Sequence, residues 1–485
     1  MKVDFLALAP ELVLTAALCA VLTLDLFLPK AKKWLAMPAA FAGVVATLVA
    51  LLALWKTGVP RTTLGGMFVV DHFALLFKAV FCVAALIVFA ISHDYLMDDD
   101  IHQGEYYTMM LSSLLGMLTI ASSRDLIPIF VALELISVPA FILAGLRKKD
   151  LRSNEAALKF FLFGVLSTTI MLYGMSLVYG MTGTTSLVGI ATFLSSHASY
   201  DAMAVLSVFF IIVGFGFKVS AFPFQWWVPD TYEGSPVPVA AFLSVASKTA
   251  GFVGLLQIMF IAFKDLADIW RPFIAILAVL TMTFGNLVAM QQKNLIRMLA
   301  YSSIGQAGYI LLPLGVVSAT NGGLNRQAFT ASILYLLIYA FMETGAFAGA
   351  IAFGRRGGGY LIDDYKGSFS RAPALTVAMT VFLFSLAGVP PLAGWAAKLF
   401  VFLAVIRSGT IWLAAAMAIN TVIALYYYAA IVKRMFMDPA SDQQASAVKV
   451  PILLSTALTV TALVVIVVGI LPDLLGHVAK LSTLF

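Results

Sequence analysis

The sequence predicts an all-α, polytopic membrane protein of about fourteen transmembrane helices, two of them broken. Three observations carry that expectation. The 485 residues are 62% hydrophobic and only 11% charged, with a mean hydropathy of +1.00; a soluble domain of this length has no means of covering so much apolar surface. Fourteen stretches stay apolar over the roughly 20 residues that a bilayer crossing needs, and nothing between them is long enough for a soluble domain. The seventh and twelfth stretches are interrupted by glycine and proline, which break helices.

The first stretch, 5–28, follows a start carrying one lysine and one aspartate, and no A-x-A-like site comes after Leu28. It therefore reads as a span rather than a cleaved leader. Spans two to six cover 34–54, 71–92, 105–122, 124–145 and 156–180; seven to nine cover 203–224, 238–262 and 271–290. The remaining five cover 295–316, 328–353, 374–406, 410–432 and 450–471, and the longest polar stretches, 181–202 and 354–373, read as loops. With an outside N-terminus, sixteen lysines and arginines fall in inner loops, among them Lys30, Arg147, Lys293, Arg355, Arg356 and Lys449, against nine outside. That bias puts both termini outside. The net charge of +6 thus reports topology, and nucleic-acid binding is not expected.

Several function classes are excluded. Cys19 and Cys82 lie alone in separate spans, so the chain has no iron–sulfur motif. His72, His93, His102, His197 and His477 all lie at span ends or in loops, so haem ligation at depth is not expected. No P-loop and no G-x-G-x-x-G is present, which removes ATP and dinucleotides bound by those motifs. The Asp98–Asp100 run with His93 and His102 reads as a solvated loop, and no metal site is expected. Work done by such a chain draws on an ion gradient or a partner.

The charges left inside the spans are then the candidates for function, because an ionised group at mid-membrane costs ~2.5–3.5 kcal/mol or more. Glu134 lies ten residues past Arg124 and thirteen before Arg147, near the midplane at 1.5 Å per residue, with Pro139 freeing a carbonyl beside it. It serves an ion path or pairs with a lysine to hold helices together. Lys218 sits between glycines and Pro223/Pro229 in an interrupted helix, the kind that lines hydrated ion sites; the alternative is an amine snorkelling to an interface marked by Trp226 and Trp227. Lys248 is ten residues into span eight among small residues that leave room for close packing and water. Lys398 follows Gly388-Val-Pro-Pro391 in span twelve. Paired broken segments of one type, each with one lysine, point to an inverted repeat with ion sites at the breaks.

Lys159, Lys78 and Glu343 rank below these. Lys159 is seven residues beyond Arg152 and snorkels or joins the path; Lys78 is placed to fold back to Asp71; Glu343, near Tyr339, pairs helices or carries charge. A proton path needs groups that toggle: burial disfavours a charged amine and a carboxylate nearby restores it, whereas arginine stays protonated. The expectation is a Glu134–Lys218 pair as the switch, Lys248 as the central carrier and Lys398 as the relay toward the outer exit.

The run from Lys218 through Pro223-Phe-Gln-Trp-Trp-Val-Pro-Asp-Thr-Tyr-Glu-Gly234 to Lys248 resembles the signature of the subunit N family of bacterial NADH–quinone oxidoreductases, the respiratory complex I enzymes. Asn294-Leu-Ile-Arg-Met-Leu-Ala-Tyr301-Ser-Ser-Ile-Gly-Gln-Ala-Gly-Tyr309 and Pro390-Pro-Leu-Ala-Gly-Trp-Ala-Ala-Lys398 are similar to its later blocks, and the match spans nearly the whole chain. The resemblance implies three N-terminal helices over 1–104, inverted five-helix repeats over 105–262 and 271–432, and a last helix at 450–471. It implies a hydrated mid-membrane axis holding Glu134, Lys218, Lys248 and Lys398, with Lys159, Glu343 and Tyr301 as lesser members. It implies no cofactor on this chain: NADH, FMN, iron–sulfur clusters and quinone belong to partner subunits. The partners implied are other membrane-arm subunits, related antiporter-like ones included, in a bacterial inner membrane. One departure is Gln225, where the family usually carries histidine; glutamine orients water but carries no charge.

Two other readings stay open from sequence. A multisubunit sodium/proton antiporter component shares the broken-helix and lysine architecture, and a non-pumping scaffold would keep an idle polar axis.

Overall fold

The computed structural model describes residues 3–99, 101, 103–196, 202–318, 320–354, 359–439, 450–482 and 484. The expected loop charges Lys2, Arg355, Arg356 and Lys449, together with Asp100, His102 and His197, lie outside the described residues.

The chain is helical almost throughout. It begins with α1 (Ala9–Phe27) and α2 (Ala36–Thr57). A short hairpin follows, β1 (Arg61–Thr63) antiparallel to β2 (Phe68–Val70) with Arg61 opposite Val70. Asp71 then caps α3 (His72–Asp98) by accepting from Ala74 N at 2.8 Å. Next come α4 (Gln103–Ser122), α5 (Leu126–Ala144) and α6 (Leu151–Thr182). Asp125 and Asp150 cap the last two, each accepting a backbone N–H that the helix leaves unpaired.

Residues 181–202, expected as a loop, contain α7 (Leu187–Ser196). Its buried Leu187, Ile190 and Leu194 recur at helical spacing, a stripe too short to stand out in a polar stretch. Beyond it lie α8 (Ala202–Val219), α9 (Trp227–Gly234), α10 (Val237–Phe242) and α11 (Lys248–Gln257). Then come α12 (Ala267–Ala289), α13 (Leu295–Leu311) and α14 (Gly322–Phe353). The 354–373 stretch is also partly helical, through α15 (Ser368–Arg371). The chain ends with α16 (Pro373–Ala387), α17 (Ala393–Arg407), α18 (Ile411–Met437), α19 (Ile452–Ile470) and α20 (Asp473–Leu481).

Eleven helical stretches among the described residues are long and apolar enough to cross a membrane. The count of fourteen is not reached by that measure. Segment 105–122 is helical but polar, 295–316 holds a helix of only 17 residues, and 374–406 is split into halves of 15 residues each.

The breaks expected in spans seven and twelve are both present and share one construction. After α8, Ser220 adopts φ +63°, and after α16, Gly388 adopts φ +90°. In each case the next amide reaches back to the carbonyl five residues earlier: Ala221 N to Gly216 O at 2.8 Å and Val389 N to Phe384 O at 2.9 Å. Ser220 N to Phe217 O and Gly388 N to Ser385 O complete the pair of bonds that ends a helix on a left-handed residue. Three residues after each of these lies a proline in a cis bond, Phe222–Pro223 and Pro390–Pro391.

Span eight departs from a plain helix. A π turn at Leu243–Ser247 directly precedes Lys248, and another occupies Ile258–Ala262. The apolar window within Val237–Ala262 is 100% buried in the chain and that of α14 is 89% buried, against 22% for α1. The two elements carrying Lys248 and Glu343 are thus the centre of the molecule, and α1, α2 and α18 face outward.

Candidate functional site

Each mid-span lysine is buried and has its own hydrogen-bonding surroundings. Lys218 is 4% exposed, Lys248 1% and Lys398 6%, so none snorkels to an interface.

Lys218 occupies the last turn of α8, where the aligned peptide dipoles place partial negative charge and favour a cation. Its Nζ donates to Ser137 Oγ on α5. The expected ion pair with Glu134 is not formed. Ser137, one turn further along α5, takes the amine instead, and Glu134 Oε1 is buried without a hydrogen-bond partner. Glu134 nevertheless acts electrostatically on Lys218. Pro139 lies inside α5 as the sequence requires, and Ser113 of α4 donates to the neighbouring Ile136 O at 3.1 Å.

Lys248 donates to Ser303 O at 2.9 Å and to Ser303 Oγ at 2.8 Å, both on α13. Glu343 of α14 interacts with it electrostatically. Glu343 has no solvent exposure. It accepts from Ser244 Oγ at 3.0 Å, and Ser244 and Tyr339 hydroxyls share a 2.9 Å hydrogen bond. Glu343, ranked low from sequence, therefore stands at the centre. The helix of Lys248 packs tightly on that of Lys218 through Gly251, where a methyl group would lie 2.9 Å from Lys218 Cβ.

Lys398 lies across the second break. Its Nζ donates to Ala387 O, the final carbonyl of α16, at 2.9 Å and sits 4.5 Å from the ring centroid of Tyr309. Gln306 Nε2 donates to the adjacent Leu386 O at 3.0 Å. All four C-terminal carbonyls of α16 are thereby occupied, two by backbone amides and two by side chains.

Between Lys248 and Lys398 run two facing polar stripes. On α13, Ser302/Ser303, Gln306 and Tyr309 recur at helical spacing; on α14, Tyr335, Tyr339 and Glu343 do the same. Tyr335 OH donates to Gln306 Oε1, and Ser302 shares a hydrogen bond with Tyr428 OH of α18. Tyr309 accepts from Asn286 Nδ2 at 3.4 Å, and Asn286 in turn binds Asn420 and Tyr427. These hydroxyls and amides were not singled out from sequence. The signal available was their spacing in the Tyr301–Tyr309 block, where polar residues share one face.

The remaining candidates fall elsewhere. Tyr301 faces Phe284 and Arg297 rather than the amines. Lys159 is 39% exposed along its side chain and pairs with Asp230 at 2.6 Å and Glu155 at 2.7 Å. Asp230 also holds Arg297 at 2.8 Å, beside a cavity of about 250 Å³. Lys78 does not fold back to Asp71. It pairs with Glu11 of α1 at 2.7 Å, and Asp71 is taken by Arg124 at 2.5 Å. Gln225, in the first break, is fully buried and neither amide atom has a protein partner, the pattern of a side chain that binds water. Among the described residues no cluster of three or more His, Cys, Asp or Glu is placed to hold a metal.

The chain matches the family described as NADH:quinone oxidoreductase/Mrp antiporter, transmembrane, over residues 123–424. It is 38% identical to NADH-quinone oxidoreductase subunit N of Trichlorobacter lovleyi, over 97% of this chain and 95% of that one. Among solved structures it is similar to a chain of respiratory complex I from Thermus thermophilus, with TM-score 0.81 and 28% identity, covering 97% of this chain and 99% of that one. A chain of the Mrp complex of a Dietzia species shares the fold with TM-score 0.84 at 20% identity, covering 99% and 97%.

Proposed function

The chain belongs to the NADH:quinone oxidoreductase/Mrp antiporter transmembrane family, and within it to the NADH–quinone oxidoreductase subunit N group, and from that premise we propose how its buried charges serve the enzyme. It is a multi-pass, antiporter-like subunit of a multisubunit membrane complex. NADH oxidation and quinone reduction take place in other subunits, which hold the flavin, the iron–sulfur clusters and the quinone, and this chain couples them to proton movement. The membrane is the bacterial inner membrane, with both termini on the outer side.

Lys248 is the central carrier. The observation that supports this role most is its placement: a single amine in a wholly buried helix, held by Ser303 and faced by Glu343. The alternative at such a site is an uncompensated buried cation, which a folded protein does not keep without use. Lys218, with Glu134 acting on it across Ser137, is the switch on the input side. Lys398, at the mouth of the second half-helix, is the relay toward the exit. The halves 105–262 and 271–432 are inverted repeats, a reading supported by the identical construction of the two breaks in spans that run in opposite directions. No feature of the site favours sodium over protons.

Lys248→Met in the intact complex tests the reading. Proton pumping in sealed vesicles is lost while NADH oxidation with an artificial acceptor persists. Unchanged pumping would end the carrier role.

A further inference from the structure

The half-helix α9 is anchored by one face and reaches the central site with the other. Asp230 pairs with Lys159 at 2.6 Å and with Arg297 at 2.8 Å. Glu233 pairs with Arg297 at 2.8 Å and accepts from Asn294 Nδ2 at 3.2 Å. Residues three apart share one side of a helix, so these bonds to α6 and α13 fix how α9 is rolled about its axis. Tyr232 lies on the opposite side and is fully buried. Its ring meets Trp227 at 6.1 Å and Phe347 of α14 at 6.2 Å between centroids. Phe347 is one turn beyond Glu343, which brings the phenol beside that carboxylate.

The Tyr232 hydroxyl faces Ser244 and Ser303 and lies in the field of Glu343, yet it has no hydrogen-bond partner. Glu343 Oε2 is likewise buried without a partner, while its other oxygen accepts from Ser244. Among the described residues no ion pair joins Lys248 to Glu343. The ammonium has three N–H groups, and its two accepting atoms both belong to Ser303. Ser303 does not bridge the gap, because its own hydrogen goes to Ala300 O at 2.7 Å. Ser244 does not either, since it donates to Glu343 and takes its hydrogen bond from Tyr339. A buried polar atom left unpaired costs ~1–3 kcal/mol. Two such atoms at one gap mark a link that is made and broken in use.

We propose that Tyr232 carries the proton between Lys248 and Glu343, its oxygen accepting from Lys248 while its O–H donates to Glu343 Oε2. A phenol suits this place because it accepts and donates through one atom. One N–H and one O–H bond break and two O–H bonds form. The ammonium and the carboxylate both become neutral, the phenol is regained, and no phenolate is formed; the reverse hop recharges the pair. The proposal rests on the carrier role given above to Lys248.

The test uses the intact complex in sealed vesicles, with NADH-driven pumping compared in water and in deuterium oxide. Tyr232→Phe removes one unpartnered oxygen and keeps both ring contacts. Assembled complex, read from NADH oxidation with an artificial acceptor, is expected to match the parent. Pumping is expected to fall about tenfold or more, and the slowing by deuterium to exceed the parent's, because transfer has become the slow step. Tyr232→His restores a group that accepts and donates and is expected to pump faster than Tyr232→Phe. Parent-rate pumping by Tyr232→Phe would overturn the proposal, as would failure of that variant to assemble, a slow variant with the parent's deuterium effect, or a Tyr232→His complex no faster than Tyr232→Phe. Pumping lost with Lys248→Met but normal with Tyr232→Phe sinks the relay alone; normal pumping by Lys248→Met sinks the underlying reading.

Discussion

At the scale of single residues, the sequence exposed the lysines and hid their partners. Lys218, Lys248 and Lys398 stood out because a lone cation in an apolar run is expensive wherever it points. Which carboxylate faces which amine depends on the packing of α11 against α13 and α14, and that is not written in local spacing. Lys218 accordingly meets Ser137 where the sequence suggests Glu134, and Glu343 interacts electrostatically with Lys248 from a helix 95 residues further along the chain. Ser137, Ser303 and Tyr335 were illegible for a different reason: hydroxyls are tolerated throughout helices, and only a buried donor facing them marks their use. Glu343→Gln keeps the hydrogen bond to Ser244 and removes the charge. Pumping is expected to fall about tenfold or more, the scale of a lost proton-transfer group, with assembly retained; a complex that pumps at the parent rate would leave Glu343 a structural role.

At the scale of elements, the two breaks were legible as glycine and proline clusters, and their shared geometry was not. A left-handed residue ends each first half-helix, yet one is serine and the other glycine. Opposite substitutions should therefore have opposite signs. Gly388→Ala forces a side chain into φ +90° and brings a methyl within 2.8 Å of Lys398 Cδ; a loss of about 1–2 kcal/mol is expected, with reduced pumping. Ser220→Gly relieves the same strain and is expected to gain about 0.5–1 kcal/mol. Thermal inactivation midpoints of the purified complex compare the two, and equal shifts of one sign would refute the argument. The ten-residue α7 went unread because it is too short for a bilayer crossing and is flanked by threonines, serines and glycine.

For the whole molecule, the all-α membrane class followed from composition alone, because no arrangement of 62% hydrophobic residues closes into a soluble globule of this size. The number of crossings was less secure. Hydropathy over a fixed window treats α4, α13 and the α16/α17 pair poorly, since polar lining and breaks are what a conducting interior requires. Orientation rests on the distribution of lysine and arginine. Single cysteines at Lys148→Cys and Arg407→Cys, in a chain cleared of Cys19 and Cys82, check it with a membrane-impermeant thiol reagent. The first is expected to react only from the inner side and the second only from the outer side. The reverse pattern would invert the topology.

The π turn ahead of Lys248 has a consequence for how the central amine is aimed. A five-residue hydrogen-bonded loop holds one residue more than the ordinary turn, and each residue advances a helix by about 100°. Deleting one residue from 243–247 therefore need not tear the helix: the wide turn closes to an ordinary one, and the ammonium beyond it keeps its heading toward Ser303. The molecule keeps, immediately upstream of a deeply buried amine, a spare unit of length held in one widened turn.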